Sequence, residues 1–242
     1  MLTVVIVVYK DDENLKKCLK SVPFEIKRSE IHFLVKDAEV RNAPKFIKEY
    51  SVNYRNFQYI SNKDYGIYDG MNQALEYVNT TFVLFLGADD ELIITNKAYK
   101  RIVNKYFKND SVSMVYGDVL LRKDGRVYDG KFSKYKILKR NICHQAIMYR
   151  TECLERYKFN TEYRSLADYA INIKFFAINT AIYCGEIISI YENRSGYSTQ
   201  VIDYKFEHDF FKLVYHNFGI KYCFVSCWVI FLRRFKRFIR NI

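Results

Sequence analysis

Residues 81–90 read TFVLFLGADD and place two aspartates directly after a predicted buried strand. The apolar run Phe82 to Leu86 is typical of a strand covered on both faces, as in parallel sheets. In open α/β sheets, ligands bind at the carboxyl ends of the strands, where Asp89 and Asp90 would lie. Adjacent carboxylates repel each other unless a cation or a polar ligand shares their charge. For these residues alone, a polar turn that happens to hold two acids is the simpler interpretation.

The same pattern recurs at three earlier predicted strands. An acid follows each strand closely: Asp11 after residues 2–8, Asp37 after 31–35 and Asp64 after 57–60. Apolar residues at helical spacing follow every strand, so strands and helices alternate. This alternation predicts an α/β, Rossmann-like, mostly parallel central sheet flanked by helices, with all these acids on one edge. The sequence contains no GxGxxG or GxxxxGKS/T phosphate loop, so we expect bound phosphate to be held through a metal ion.

Composition favours one folded domain. Of 242 residues, 50% are hydrophobic and 17% aromatic, which excludes a disordered chain. The first apolar run is short and has no basic leader, so we expect a cytoplasmic rather than a secreted protein.

Positive charge concentrates at the carboxyl terminus. The net charge is +12, and residues 233–242 hold five basic residues and no acid. Before them, the apolar stretch 222–232 is shorter than the about 20 residues that span a bilayer. Its composition, with Trp228, favours an interfacial anchor on an anionic membrane, and a last helix docked on the protein's own core is the alternative. We therefore predict a domain over residues 1–218 and a membrane-associating extension over 219–242. No recognised nucleic-acid module is present, so we expect no nucleic-acid partner.

Four stretches resemble the family 2 glycosyltransferases of the GT-A group. Residues 4–10 (VVIVVYK) are similar to the family's opening strand, and residues 64–72 (DYGIYDGMN) to its D-x-G-x-Y-D-A-M-N segment. Residues 86–90 (LGADD) match the L-N-A-D-D form of the DxD motif. Residues 143–146 (CHQA) and 166–169 (LADY) resemble the H-Q strand and A-D-Y helix of members that build bacterial surface polysaccharides. The resemblance covers about the first 200 residues.

The chain departs from the family at two places. The second strand runs into Lys36-Asp37-Ala38-Glu39-Val40, whereas the family has Asp-Gly-Gly-Ser-x-Asp. Asp37 keeps its place, but the small residues that let a base lie close are missing. Gly87 stands where the family has Asn.

The resemblance implies an inverting, metal-dependent enzyme at the inner face of the cell membrane. It would move a sugar from a nucleotide-diphosphate donor to a lipid-linked saccharide. The resemblance suggests uridine as the nucleoside of the donor. Mn²⁺ or Mg²⁺ would take up the charge of the leaving diphosphate. Asp90 would bind this metal, and Asp89 would contact the ribose or the metal. Asp37 would contact the base, with Tyr9 and Asp11 beside it.

Asp168 is the candidate general base, because a carboxylate can accept the proton of the acceptor hydroxyl. The alternative is an acid that complements the dipole at the start of its helix. His144 is assigned to a sugar or metal contact, and a packed, hydrogen-bonded histidine is its alternative.

Four further residues are assigned to donor binding. Asp64 lies on the shared sheet edge, and Asn72 would line the pocket one turn into the following helix. For Asp69, a contact with the donor and stabilisation of the start of that helix are equally good explanations. Arg194, in a polar loop over residues 192–198, would pair with the diphosphate or else be an exposed loop arginine.

Two other functions stay open on the sequence alone. One is a non-catalytic module on the same fold that binds nucleotide sugars or carbohydrates. The other is a basic peripheral membrane protein without enzyme activity, which the acid-lined sheet edge disfavours.

Overall fold

The computed structural model describes residues 1–194 and 201–240, with side chains through Leu232. Within these residues the chain forms a nine-stranded sheet with the order β3-β2-β1-β4-β8-β6-β9-β5, and β7 pairs with β6. The strands are β1 (Leu2–Val8), β2 (His32–Asp37), β3 (Asn56–Ser61), β4 (Phe82–Gly87), β5 (Glu91–Leu92), β6 (Met114–Leu121), β7 (Val127–Tyr128), β8 (Ile147–Arg150) and β9 (Ala181–Tyr191).

Helices cover both faces of this sheet. They are α1 (Asp12–Ser21), α2 (Phe24–Lys27), α3 (Lys45–Ser51), α4 (Ile67–Leu75), α5 (Asn96–Ile102), α6 (Lys134–Lys139), α7 (Thr151–Tyr157), α8 (Ala167–Ala177), α9 (Tyr204–Phe218) and α10 (Ile220–Arg240). A π-helical turn, Val103–Phe107, continues α5, and a 3-10 turn, His144–Ala146, precedes β8.

The strand β4 is covered on both faces, as its sequence predicts. Val83 and Phe85 belong to the core cluster on one side of the sheet, and Phe82, Leu84 and Leu86 belong to the cluster on the other. Successive side chains of a strand point to opposite faces, and both faces of β4 are covered. All five side chains are therefore fully buried.

The first four strands are parallel, and their ends lie at one level. In this register Val8 pairs with Asp37, Asp37 pairs with Ser61, and Gly87 lies opposite Val7. Strand β2 extends two residues beyond the predicted 31–35, so Asp37 is its last residue rather than a residue of the following loop. The predicted α/β class and the shared carboxyl edge are confirmed.

The second half of the sheet is mixed rather than parallel. Strand β8 runs antiparallel to both β4 and β6, β9 runs parallel to β6, and β5 runs antiparallel to β9. After β4 the chain no longer alternates regularly between strand and helix, since β6 is followed directly by the antiparallel β7.

The helix α10 packs on the protein through one side. Cys223, Ser226 and Val229 are buried, whereas Phe224 and Trp228 are exposed. The predicted boundary between residues 218 and 219 therefore does not coincide with a break in the core, which includes Cys223 and Val229. Across the described ranges 1–194 and 201–240, no helix is long and apolar enough to cross a membrane.

Candidate active site

Two cavities meet at the carboxyl edge of the sheet. The inner cavity, of about 450 Å³, is lined by residues that include Asp90, His144 and Asp168. The outer cavity, of about 940 Å³, lies along the ends of β1 and β4, and its walls include Tyr9, Asp11, Arg41 and Asp64. Ile67, Gly87 and Asp89 belong to the walls of both.

The carboxylate of Asp90 is held by backbone donors. It is 2% exposed. Its Oδ2 accepts the Gly87 N–H at 3.1 Å, and its Oδ1 accepts the Glu192 N–H at 3.0 Å. Burial, with the neighbouring charge of Asp89, raises the pKa of Asp90 to about 6. Burial also raises the pKa of Asp89, and the nearby Asp11 adds to this rise.

Gly87 allows both carboxylates to fold back over the end of β4. A Cβ at this position would lie 2.6 Å from Asp89 Oδ1 and 3.0 Å from Asp90 Oδ2. Since Cβ atoms do not approach oxygen so closely, a side chain at position 87 would require the carboxylate of Asp89 to shift from this position.

These residues suit a divalent cation. Burial and mutual repulsion disfavour the ionised forms of Asp89 and Asp90, and a cation would relieve both costs. The buried Nε2 of His144 has no hydrogen-bond partner within the part of the chain that the structure describes. That part also holds no cluster of three or more His, Cys, Asp or Glu arranged for a metal. A site with two carboxylates suits Mg²⁺ or Mn²⁺, because Mg²⁺ commonly binds one or two carboxylates together with substrate phosphates.

Asp168 lies in the first turn of α8, with both carboxylate oxygens held. Its Oδ1 accepts the hydroxyl of Tyr68 at 2.7 Å, and its Oδ2 accepts Nδ2 of Asn141 at 2.7 Å. The Nδ1 of His144 lies 3.7 Å from Oδ2. Burial lowers the pKa of His144, but Asp168 and the acid pair outweigh burial and raise it overall. The structure thus brings Asp89, Asp90, His144 and Asp168 together around one cavity.

In the outer cavity, Asp64 is anchored by a buried lysine. The ammonium of Lys36 lies 2.8 Å from Asp64 Oδ2 and also donates to the carbonyls of Asn62 (2.6 Å) and Asp37 (3.3 Å). Gly70 makes room for this carboxylate, because a Cβ there would lie 2.7 Å from Asp64 Oδ2.

The side chain of Asp37 is fully buried and engaged with protein groups. Its Oδ2 accepts Nε of Arg41 at 2.8 Å and the hydroxyl of Tyr59 at 2.8 Å, and its Oδ1 accepts the Glu39 N–H at 2.9 Å. Arg41 also forms an ion pair with Asp12 at 2.5 Å, and this pair is the main reason why its pKa is raised. Arg41 lines the outer cavity and Asp37 does not, so Arg41 is the side chain presented where a base contact from Asp37 was expected.

The side chain of Asn72 holds the backbone of Phe159 and does not lie in the pocket wall as predicted. Its carboxamide accepts the N–H of Phe159 at 2.9 Å and donates to the carbonyl of the same residue at 2.9 Å, and it lines neither cavity described above. Asp69 accepts from the Tyr65 N–H at 3.0 Å and from Gln73 Nε2 at 3.0 Å, which supports the start of α4.

Of the other three predicted donor contacts, Asp11 and Tyr9 line the outer cavity. Asp11 caps α1 by accepting the Asn14 N–H at 3.2 Å, and it also lines the outer cavity. Tyr9 lines the same cavity and is 63% exposed. Arg194 forms an ion pair with Glu192 at 2.5 Å, and its assignment to the diphosphate stays a prediction. The predicted loop extends to residue 198, and its residues 195–198 lie outside the described part of the chain.

Several residues that build the site were not assigned from the sequence. They are Lys36, Arg41, Tyr68, Asn141 and Glu192. Tyr68 lies inside the quoted DYGIYDGMN segment, and Asn141 lies two residues before Cys143-His144, so both are close to motifs. Lys36 directly follows the predicted strand 31–35 and precedes Asp37, and this place at the sheet edge could have singled it out.

Comparisons with known proteins agree with this architecture. The model of glycosyl transferase family 2 matches residues 3–176. A PGL/p-HBAD biosynthesis glycosyltransferase from Mycobacterium tuberculosis is 36% identical over 148 residues, which are 59% of this chain and 57% of that protein. Glycosyltransferase GlyA from Streptococcus pneumoniae is 27% identical over 130 residues, covering 49% of this chain and 19% of its own. The chain therefore spans little more than half the length of the mycobacterial relative.

Solved structures share the fold. TarS 1–349 from S. aureus, in complex with UDP-GlcNAc, has a TM-score of 0.64 at 17% identity and covers 88% of this chain and 64% of its own. The mannosyltransferase PcManGT from Pyrobaculum calidifontis, in complex with GDP-Man and Mn²⁺, has a TM-score of 0.59 at 16% identity, covering 81% of this chain and 58% of its own. These likenesses show the GT-A fold. Because the family model matches most of the sequence, from residue 3 to residue 176, this protein belongs to glycosyl transferase family 2.

Proposed function

We propose that this protein is an inverting glycosyltransferase that moves a sugar from a nucleotide-diphosphate donor, a UDP-sugar, to a lipid-linked saccharide. The observation that carries the proposal is the placement of Asp168 and the Asp89–Asp90 pair in the wall of one cavity. A second cavity, large enough for a nucleotide, adjoins it at Asp89. A pure binding site would have no need of a buried carboxylate opposite the acid pair.

The outer cavity is assigned to the nucleotide and the acid pair to its diphosphate. Asp89 and Asp90 would hold Mn²⁺ or Mg²⁺, which acts as a Lewis acid on a leaving diphosphate when bound. Structural neighbours were solved with UDP-GlcNAc and with GDP-Man and Mn²⁺, which supports a nucleotide-sugar donor here. Arg41, rather than Asp37, is the side chain available to the base.

Asp168 is assigned to the acceptor. As the acceptor hydroxyl attacks the anomeric carbon, Asp168 takes up its proton. Burial raises the pKa of Tyr68 well above its ordinary value, so this phenol keeps its proton and acts as a donor to the carboxylate. Apolar residues of the inner cavity, including Ile67, Ile142 and Leu166, help to exclude water. One base acting on the incoming hydroxyl suits a direct displacement, which inverts the anomeric centre.

The decisive experiment is a panel of UDP- and GDP-sugars with Mn²⁺, read by release of the nucleoside diphosphate. We expect turnover of one or a few donors by the wild type and by Glu155→Gln, a control at an exposed acid of α7. In Asp168→Asn, which keeps the shape and removes the proton acceptor, turnover should fall by a factor of about 10² to 10⁴ while donor affinity changes little. Near-normal turnover in this variant would exclude Asp168 as the base. Donor binding without any turnover by the wild type would instead favour a binding module.

We further propose that the protein works at the inner face of the cell membrane, with α10 as the contact. Phe224, Trp228 and Phe231 are exposed on this helix, and five basic residues follow from position 233. Exposed aromatic side chains next to basic residues suit the headgroup region of an anionic membrane. The opposite side of α10 packs on the core, so the docked helix and the membrane contact use different faces.

This contact can be tested with the fold intact. Phe224→Ser together with Trp228→Ser removes two exposed side chains, each contributing about 1.5 kcal/mol or more when buried in a membrane. Partitioning onto anionic liposomes should fall about a hundredfold. Circular dichroism and donor binding should stay as in the wild type, because both side chains are exposed and far along the chain from the cavity residues. Unchanged partitioning would contradict the membrane contact.

A further inference from the structure

Asp168 is the end of a chain of hydrogen bonds that begins at a buried tyrosine. The hydroxyl of Tyr149 on β8 donates to Asn172 Oδ1 at 2.8 Å, and Asn172 Nδ2 donates to Asn141 Oδ1 at 2.8 Å. Asn141 Nδ2 then donates to Asp168 Oδ2 at 2.7 Å. We call Tyr149, Asn172 and Asn141 the amide relay.

The charge of Asp168 fixes the direction of every bond in this relay. An ionised carboxylate only accepts hydrogen bonds, so Asn141 must present its NH₂ group to Asp168 and its carbonyl to Asn172. Asn172 must in turn present its NH₂ group to Asn141 and its carbonyl to Tyr149. Burial raises the pKa of Tyr149 well above its ordinary value, so its hydroxyl keeps the proton that it donates.

The relay lies in surroundings where polar side chains are costly. Tyr149 and Asn172 are completely buried, and Tyr149 belongs to a cluster of apolar and aromatic residues. Apolar residues of similar shape would avoid the cost of taking these amides out of water. Asn172 lies four residues after Asp168 on α8, so both project from the same side of this helix.

We propose that the amide relay is a positioning device for the base, with Asn172 and Asn141 as positioning residues for Asp168. Tyr68 holds Oδ1 and Asn141 holds Oδ2, so rotation of the carboxylate would break both bonds. The relay prevents Asn141 from turning its carbonyl towards Asp168, and thereby keeps one orientation of the carboxylate facing the inner cavity. This inference rests on the proposed role of Asp168 as the base.

The test is Asn172→Leu, which replaces the amide by an apolar side chain of similar size. With the UDP- or GDP-sugar that the wild type turns over fastest, kcat should fall between about ten- and a hundredfold, as for other losses of orientation near a reacting group. The KM for the donor should stay unchanged, since the relay does not touch the outer cavity.

A double variant separates positioning from stability. Asn172→Leu alone leaves the Tyr149 hydroxyl buried without a partner, so its Tm should fall. Adding Tyr149→Phe removes that hydroxyl and should recover much of the Tm, but it cannot restore the donor to Asn141 or the lost kcat. Recovery of kcat together with Tm would overturn the proposal and leave the relay a structural feature only.

The outcomes also distinguish this inference from the proposed function. If Asp168→Asn is inactive and Asn172→Leu has normal kcat, the base role stands and the relay has no part in it. If Asp168→Asn keeps turnover, the base role itself fails. Should Asn172→Leu not fold, Asn141→Leu removes the last bond of the relay at a half-buried loop residue. It should show the same loss of kcat at constant donor KM, and normal kcat there would equally refute the proposal.

Discussion

Replacing Asp90 by asparagine should change the pH dependence of stability in the metal-free protein. The pKa of Asp90 is raised from 3.8 to about 6 by burial and by Asp89. An acid with a higher pKa in the folded state binds its proton more tightly when folded. The folded state therefore loses stability as the pH rises from about 4 to about 6, and the loss is complete above this interval.

The magnitude follows from the shift. Each pH unit corresponds to about 1.4 kcal/mol, so ionised Asp90 lowers the free energy of unfolding by about 3 kcal/mol above pH 6. Asparagine carries no charge and is free of this penalty. It cannot accept from both the Gly87 N–H and the Glu192 N–H, and that lost bond costs about 1 to 2 kcal/mol at every pH.

The assay is urea unfolding in EDTA at pH 4 and pH 7 for the wild type, Asp90→Asn and the exposed control Glu155→Gln. Because an unfolded Asp90 is already partly ionised at pH 4, the difference between Asp90→Asn and the wild type should shift by about 2 kcal/mol in favour of the variant between the two pH values. The control should show no such shift. Saturating Mn²⁺ at pH 7 should stabilise the wild type and leave the variant unchanged. A difference that is independent of pH would refute the claim that an uncompensated buried charge resides at Asp90.

Three further substitutions test the supporting structure. Asp64→Asn removes the charge of a carboxylate in the wall of the outer cavity and should weaken donor binding in calorimetry; unchanged affinity would contradict a role for Asp64. Lys36→Met leaves Asp64 without its buried partner and should lower the free energy of unfolding by about 3 kcal/mol, whereas a loss below about 1 kcal/mol would show that the ion pair is dispensable. Gly117→Ala meets the backbone carbonyl of Glu186 at 2.2 Å and should destabilise the fold by about 2 kcal/mol or more in urea unfolding, while a stability like that of the wild type would show that the backbone there can shift.

The first half of the fold was predictable because its signals are local. The run Phe82 to Leu86 must be buried on both sides, and the alternation with helices makes its neighbours parallel. Parallel pairing then brings the ends of the strands to one level, so the positions of Asp11, Asp64 and Asp89 followed without any knowledge of side-chain contacts.

The second half depends on pairings that no local pattern specifies. Strand β6 pairs with β9, whose residues lie about 70 positions further along the chain, and it pairs with β8 in the opposite direction. The last helix was also only partly predictable. An apolar run indicates that a segment is buried, but it does not show that one side of the helix is buried and the other exposed. The helical spacing of Cys223, Ser226 and Val229 separates the buried face from the exposed one only once the segment is known to be a helix.

The hydrogen-bond partners of the polar side chains were the least predictable part of the site. Asn72 is hydrogen-bonded to the backbone of Phe159, and Asp37 accepts a hydrogen bond from Arg41. A motif gives the type and order of polar residues, but the partner that satisfies each of them is set by neighbours distant in sequence. The same reasoning explains why Asn141 was missed, since its partners Asp168 and Asn172 become close only after α8 has packed.

The common wall of the two cavities has a kinetic consequence. Ile67, Gly87 and Asp89 line both cavities, so under the proposed function a donor in the outer cavity would lie directly beside the inner one. Affinity for the second substrate then depends on whether the first is in place, which favours ordered addition with the donor leading and both substrates bound before transfer. Double-reciprocal plots at several fixed acceptor concentrations should therefore intersect rather than run parallel.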